Sequence, residues 1–99
     1  MSDIFAIIIP YYQENSSLLK GAIQSILAQN VPSNIDVLIV VIDDSSPCDP
    51  RESLLDLKIE PPFKLVIKKQ PNGGVASARN LGVDYLEPIN PKYLSLIHI

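Results

Sequence analysis

Two adjacent carboxylates, Asp43 and Asp44, follow an apolar run, Val37 to Ile42, and lead into Ser-Ser-Pro. One polar residue is enough to end a buried strand. Two like charges side by side repel, so something outside the strand wants acceptors there. Successive strand residues point to opposite faces, so this pair does not flank one bond as acid and base. A better fit has one carboxylate turned back into the loop, as in an Asx-type turn, while the other accepts from a ligand N–H. Uracil N3–H and guanine N1–H are such donors, whereas unprotonated cytosine presents an acceptor and is rejected. Tyr11 and Tyr12 follow Pro10. Alternation lets one ring face the core while the other lies on the rim as a stacking surface for a base. Glu14 is close enough in sequence to accept from a ribose hydroxyl, or it simply favours a helix start. A third group is "NGGVASARN", Asn72 to Asn80. Gly73 and Gly74 permit close backbone approach, the helix start behind them offers N–H groups to an anion, and Arg79 supplies a fixed positive charge. On its own this segment is also a plain glycine turn with an exposed arginine. It is not a GxGxxG fingerprint, and no P-loop GK[ST] occurs, which disfavours a dinucleotide oxidoreductase.

The elements that must hold these loops are legible from periodicity. "DIFAIIIPY" is a continuous apolar run ended by proline, a buried strand. In "ENSSLLKGAIQSILAQN", Leu19, Ala22, Ile23, Ile26 and Leu27 form a helical stripe, with Asn15 or Ser16 as cap. Val37–Ile42 is the second strand, and "CDPRESLLDLK" predicts a short helix with proline in its first turn. "PPFKLVIKKQ" is a third strand, made an edge by Lys64, Lys68 and Lys69. The glycine turn then opens a helix whose stripe is Ala78, Leu81, Gly82, Tyr85 and Leu86, and "YLSLIHI" begins a fourth strand. Strand and helix in alternation predict an α/β, Rossmann-like, mostly parallel sheet with helices on both faces. Ligands in such sheets bind beyond the carboxyl ends of the strands. The loops after strands one, two and three, "PYYQE", "DDSSPCD" and "QPNGG", therefore gather on one rim.

Bulk properties narrow the classes. The chain has 99 residues, 46% of them hydrophobic and 19% charged, which suits one small globular unit. A net charge of -3 argues against binding a nucleic-acid backbone. The lone Cys48 makes no internal disulfide and reads as an ordinary loop thiol. "FAIIIPYY" is too short to span a membrane and lacks the basic start of a signal peptide. A soluble, cytoplasmic chain is expected, with membrane association left to segments outside it.

Taken together, the loops resemble the start of a family 2 glycosyltransferase of GT-A fold. "IPYYQE" matches that family's strand-one loop, "SILAQ" its first helix, "IDDSSPCD" its "VDDGSxD", and "NGGVASARNLG" its "N-x-G-x-x-x-ARN-x-G". Each motif is soft alone, but four in order over roughly residues 4 to 86 are specific. The resemblance implies an inverting transfer of a sugar from a UDP-, dTDP- or GDP-linked donor to a hydroxyl of a glycan or lipid-linked acceptor. It implies that Tyr12 stacks on or flanks the base and that Asp44 accepts from its ring N–H. Asp43 and Glu14 would sit around the ribose, with Pro10, Ser45 and Asn72 on the same loops and Arg79 and the Gly73–Gly74 turn lining the donor pocket. Gln13 stands for the usual Asn and Ser45 for the usual Gly, so the second loop is expected to adopt a non-glycine conformation.

The family also implies Mg²⁺ or Mn²⁺, held by a D-x-D motif after strand four, and a later Asp or Glu as general base. Neither is present in this chain, and the lone His98 is not assigned to metal. Residues 1–93 are accordingly read as the nucleotide-binding part of an incomplete GT-A domain, inactive alone. Residues 94–99 carry two readings. "LSLIHI" is either a fourth strand or a non-native tail, since it translates CTGTCTCTTATACACATC, which resembles the transposon-end adapter of sequencing libraries. The alternative from another class is a non-enzymatic α/β nucleotide-binding or receiver-like signalling module. In receivers, however, the paired acids follow strand one and an Asp follows strand three.

Overall fold

The computed structural model describes residues 3–12, 17–97 and 99. Glu14 and His98, together with Gln13, Asn15 and Ser16, lie outside the described residues. The chain runs β1 (Asp3–Tyr11), α1 (Ser17–Leu27), β2 (Ile35–Asp43), α2 (Arg51–Leu54), β3 (Phe63–Lys69), α3 (Gly74–Leu86) and β4 (Tyr93–Leu96). The four strands form one sheet in the order β3-β2-β1-β4, with every pairing parallel. This is a Rossmann-like parallel sheet with helices on both faces.

Its centre is apolar on both sides because β1 and β2 are covered twice, so their side chains do not alternate between oil and water. On one face Ile7, Ile9, Ile39 and Val41 pack beneath Leu19, Ile23 and Ile26 of α1. On the other, Ala6, Ile8, Val40 and Ile42 pack beneath Ala78 and Leu86 of α3. Burying one such isoleucine contributes roughly 1.5–3 kcal/mol, which makes these two layers the main source of stability. Gly82 lets α3 settle on β1. A Cβ there would stand 2.9 Å from the Ile8 side chain, so the helix approaches the sheet where no other residue fits.

β3 is the less buried strand that its lysines predict, with Lys64, Lys68 and Lys69 exposed. Lys68 also lies 4.7 Å from the centre of the Tyr85 ring, tying the edge to α3. Two expectations change. β2 runs from Ile35 through Asp43, longer than the apolar core of its sequence. α2 is a single turn with Pro50 at its N-cap position, not within its first turn. It buries Leu54 against the α1 face while Arg51 and Glu52 stay exposed, too little apolar surface to extend it.

Candidate nucleotide cleft

Register brings the three loops to one rim. Tyr11 of β1 lies beside Asp43 of β2, and Asp43 beside Lys69 of β3. Two backbone bonds continue the ladder past the strand ends: Asp44 N–H donates to the Tyr11 carbonyl at 3.0 Å, and Gln70 N–H to the Asp43 carbonyl at 2.9 Å. The chain progresses from β1 outward to β3 and then crosses to β4 on the other side of β1, which makes the β1/β4 boundary the topological switch point. A cleft of about 80 Å³ opens there, lined by Pro10, Tyr11, Tyr12, Asp44, Val75 and Ala78, with Ile99 at its border.

The two tyrosines divide as alternation requires. Tyr11 is fully buried and Tyr12 is 52% exposed at the mouth of the cleft. The Tyr11 hydroxyl has no hydrogen-bond partner among the described residues. Burial, followed by the neighbouring Cys48 thiol, pushes its phenol up to about 12, so it is a neutral wall at ordinary pH.

The two aspartates also divide. Asp43 turns into its own loop, where its Oδ1 accepts from Ser46 N–H at 2.9 Å. Asp44 is 6% exposed and turns towards α3. Its Oδ1 accepts from Gln70 Nε2 at 2.8 Å and Gly73 N–H at 2.7 Å, and its Oδ2 from Gly74 N–H at 2.9 Å. The sequence predicts a glycine turn that offers free N–H groups to an external anion. The two at Gly73 and Gly74 are instead taken by Asp44, because a carboxylate one loop away satisfies the start of a helix without any ligand. Burial by itself would raise the Asp44 carboxyl, yet the N–H of Gly73, the Gln70 amide and the N–H of Gly74 outweigh it and hold the group below the ordinary aspartate value. Asp44 therefore stays charged at neutral pH, with one acceptor position on Oδ2 still unfilled by these three donors.

Ser45 corrects a second expectation. Its φ is 57°, so the loop keeps the left-handed conformation that a glycine would take. The hydroxyl offsets the strain by donating to the Gln70 carbonyl at 2.7 Å. Each effect is worth roughly 1 kcal/mol. Ser45→Gly should therefore change stability by less than about 0.5 kcal/mol, whereas Ser45→Ala, which keeps the strain and loses the bond, should cost about 1 kcal/mol. Urea denaturation of the two variants reads this difference directly, and equal losses would contradict it.

Of the remaining candidates, Asn72 is exposed in the turn, and Arg79 is exposed on α3 without lining the cleft. Gln70 is the residue that sequence reasoning passes over. It is 8% exposed and bonded through its backbone to Asp43 and Ser45 and through its side chain to Asp44 and Ser77. Its one signal in the sequence is its place: a polar residue directly after a strand, on the ligand-binding rim.

Larger hollows lie at the opposite end of the sheet. One of about 550 Å³ sits between Pro61–Lys64 and Tyr85, and another of about 340 Å³ lies under Val31 and Pro32. Neither touches a loop of the carboxyl rim, and size alone does not make a site where polar groups fail to converge. Among the described residues, no group of three or more His, Cys, Asp or Glu is placed to hold a metal ion. The described residues thus supply no ligand set for the divalent cation that the resemblance implies for the whole protein. No helix among them is long and apolar enough to cross a membrane.

Comparison with known proteins agrees with this architecture. The sequence model of glycosyl transferase family 2 matches residues 6–87. The chain belongs to that family. It is 38% identical over 78 residues to the succinoglycan biosynthesis protein ExoW of Rhizobium meliloti (strain 1021), covering 79% of this chain and 24% of that protein. It is 32% identical over 83 residues to the minor teichoic acid biosynthesis protein GgaB of Bacillus subtilis (strain 168), covering 84% of this chain and 9% of that one. The chain thus spans about a quarter or less of the length of these relatives.

Proposed function

We propose that this chain is the donor-nucleotide half of an inverting glycosyltransferase. The observation that carries the reading is the cleft at the β1/β4 switch point, with a half-exposed tyrosine on its lip and a charged carboxylate in its wall. Tyr12 supplies a face for the base, and Asp44 supplies one acceptor for a ring N–H of uracil, thymine or guanine. Pro10, Asp43, Ser45 and Asn72 shape the loops around it, Glu14 serves the ribose, and Arg79 and the Gly73–Gly74 turn flank the donor. In the parent reaction an acceptor hydroxyl attacks the anomeric carbon as the sugar–phosphate bond breaks. The nucleoside diphosphate leaves with the bonding electrons, and the hydroxyl proton passes to a general base. That base and any metal site belong to segments outside these residues, so the chain alone binds without transferring. Residues 1–93 form the nucleotide-binding part in this reading. The names of the two relatives, which concern succinoglycan and minor teichoic acid biosynthesis, support a glycan acceptor; a lipid-linked one belongs to the same proposal.

Calorimetric titration of the chain with UDP, dTDP, GDP and CDP tests the proposal. At least one of the first three should bind about tenfold or more tightly than CDP, the scale of one hydrogen bond to a charged group gained or lost. Equal affinity for CDP, or binding of none of the four, would contradict it.

A further inference from the structure

Four hydrogen bonds converge on Gln70, a residue with no assigned role. Its backbone N–H and carbonyl tie the end of β3 to Asp43 at 2.9 Å and Ser45 at 2.7 Å. Its side-chain Nε2 donates to Asp44 Oδ1 at 2.8 Å, and its Oε1 accepts from Ser77 Oγ on α3 at 3.4 Å. We propose that Gln70 is a positioning residue of the nucleotide cleft, whose side-chain amide fixes the Asp44 carboxylate and with it the acceptor that meets the base. The inference rests on the nucleotide reading given above.

The chemistry favours an amide at this place. Turned the other way, the Gln70 side chain would put its carbonyl oxygen against Asp44 Oδ1, two acceptors face to face, so the carboxylate itself selects the orientation. Oδ1 then holds two donors, from Gln70 and Gly73, and has no lone pair left for a ligand. Among the described residues Oδ2 holds one, from Gly74, which leaves one position for a ligand. A lysine or arginine in place of Gln70 would also bond Oδ1, but would neutralise the charge that the ligand N–H needs. The glutamine holds the carboxylate without cancelling it. Among the described residues, strand register and the cleft lining place four other titratable groups around Asp44: Asp43, which faces Ser46, Lys69 beside Asp43, and the phenols Tyr11 and Tyr12.

Two variants separate positioning from mere support. Gln70→Met keeps the volume and removes the amide. Gln70→Glu sets a second carboxylate against Asp44 when ionised, but once protonated the new acid donates O–H where the amide donated N–H. The 99-residue chain is titrated with UDP at about pH 8 and about pH 5, with near-UV circular dichroism reporting folding in parallel. Gln70→Met should bind UDP about tenfold more weakly at both pH values. Gln70→Glu should be equally weak at the higher pH and recover most of its affinity at the lower one, while the original chain changes by less than about threefold. Unaltered UDP affinity in folded Gln70→Met, or a Gln70→Glu profile that is flat with pH, would overturn the role of Gln70 alone. Absence of binding of UDP, dTDP and GDP alike by the original chain would overturn the nucleotide reading and the inference with it.

Discussion

Replacing Asp44 by alanine should destabilise the chain by about 3–5 kcal/mol, because three hydrogen bonds to a buried carboxylate disappear at once. Bonds to charged groups contribute roughly 1.5–3 kcal/mol each, and the sum is discounted here because water can reach the exposed Gly73–Gly74 turn once the side chain is gone. The loss is architectural as much as local. Asp44 is the clasp between the tip of β2 and the start of α3, and α3 is the helix that covers one face of the sheet. Asp44→Asn should lose less, since its carbonyl can keep Gln70 and Gly73 while its NH₂ opposes the N–H of Gly74. The pH dependence has a definite sign. The folded carboxyl titrates below its ordinary value, so its stabilisation is complete above the unfolded aspartate value of about 3.9 and fades as pH falls through the lower, folded one. Urea midpoints measured from neutral pH into acid should therefore fall more steeply for the original chain than for Asp44→Ala. Equal slopes, or a neutral-pH loss below about 1 kcal/mol, would show that the clasp is not holding.

Tyr12→Ala should leave folding nearly untouched and weaken UDP binding by about 1–3 kcal/mol, or roughly fivefold to beyond a hundredfold. The ring is 52% exposed and belongs to neither buried cluster, so its removal opens no cavity. What it removes in the proposed site is the only strongly exposed aromatic face on the cleft wall among the described residues. Tyr12→Phe keeps that face and should retain most of the affinity. Calorimetry with UDP beside thermal melts of both variants distinguishes stacking from packing. Unchanged UDP affinity in Tyr12→Ala would remove Tyr12 from the site, whereas a large fall in melting temperature would assign it to the core.

Much of the fold follows from patterns that have one physical solution. Two uninterrupted apolar runs can only be strands covered on both sides, and the stripes of α1 and α3 supply the covers. Gly82 is visible as part of a stripe, but its close approach to Ile8 depends on how α3 meets β1, which no local pattern records. At the rim, the sequence brings the three loops to one edge and divides the two tyrosines by alternation alone. It goes astray over which groups bond to one another. Asp44 and Gly73 are 29 residues apart, and only the parallel pairing of β2 with β3 makes the carboxylate a closer partner for the turn than any external anion. Ser45 shows the same limit in miniature. A serine at a glycine position suggests a changed backbone, yet a hydroxyl bond to Gln70 holds the left-handed turn in place. Gln70 escapes notice because glutamine after an edge strand looks like surface until Asp43, Asp44, Ser45 and Ser77 are placed around it.

In the proposed function a nucleoside diphosphate binds at the carboxyl rim, over β1 and the start of α3. The most direct test of this placement is an amide chemical-shift map of the ¹⁵N-labelled chain titrated in turn with UDP, dTDP and GDP. Saturable shifts are expected at Tyr11, Tyr12, Asp44, Gly73 to Val75 and Ala78, with the amino end of the sheet quiet. Shifts centred instead on the hollow around Pro62, Lys64 and Tyr85, or no saturable shifts with UDP, dTDP or GDP, would contradict it.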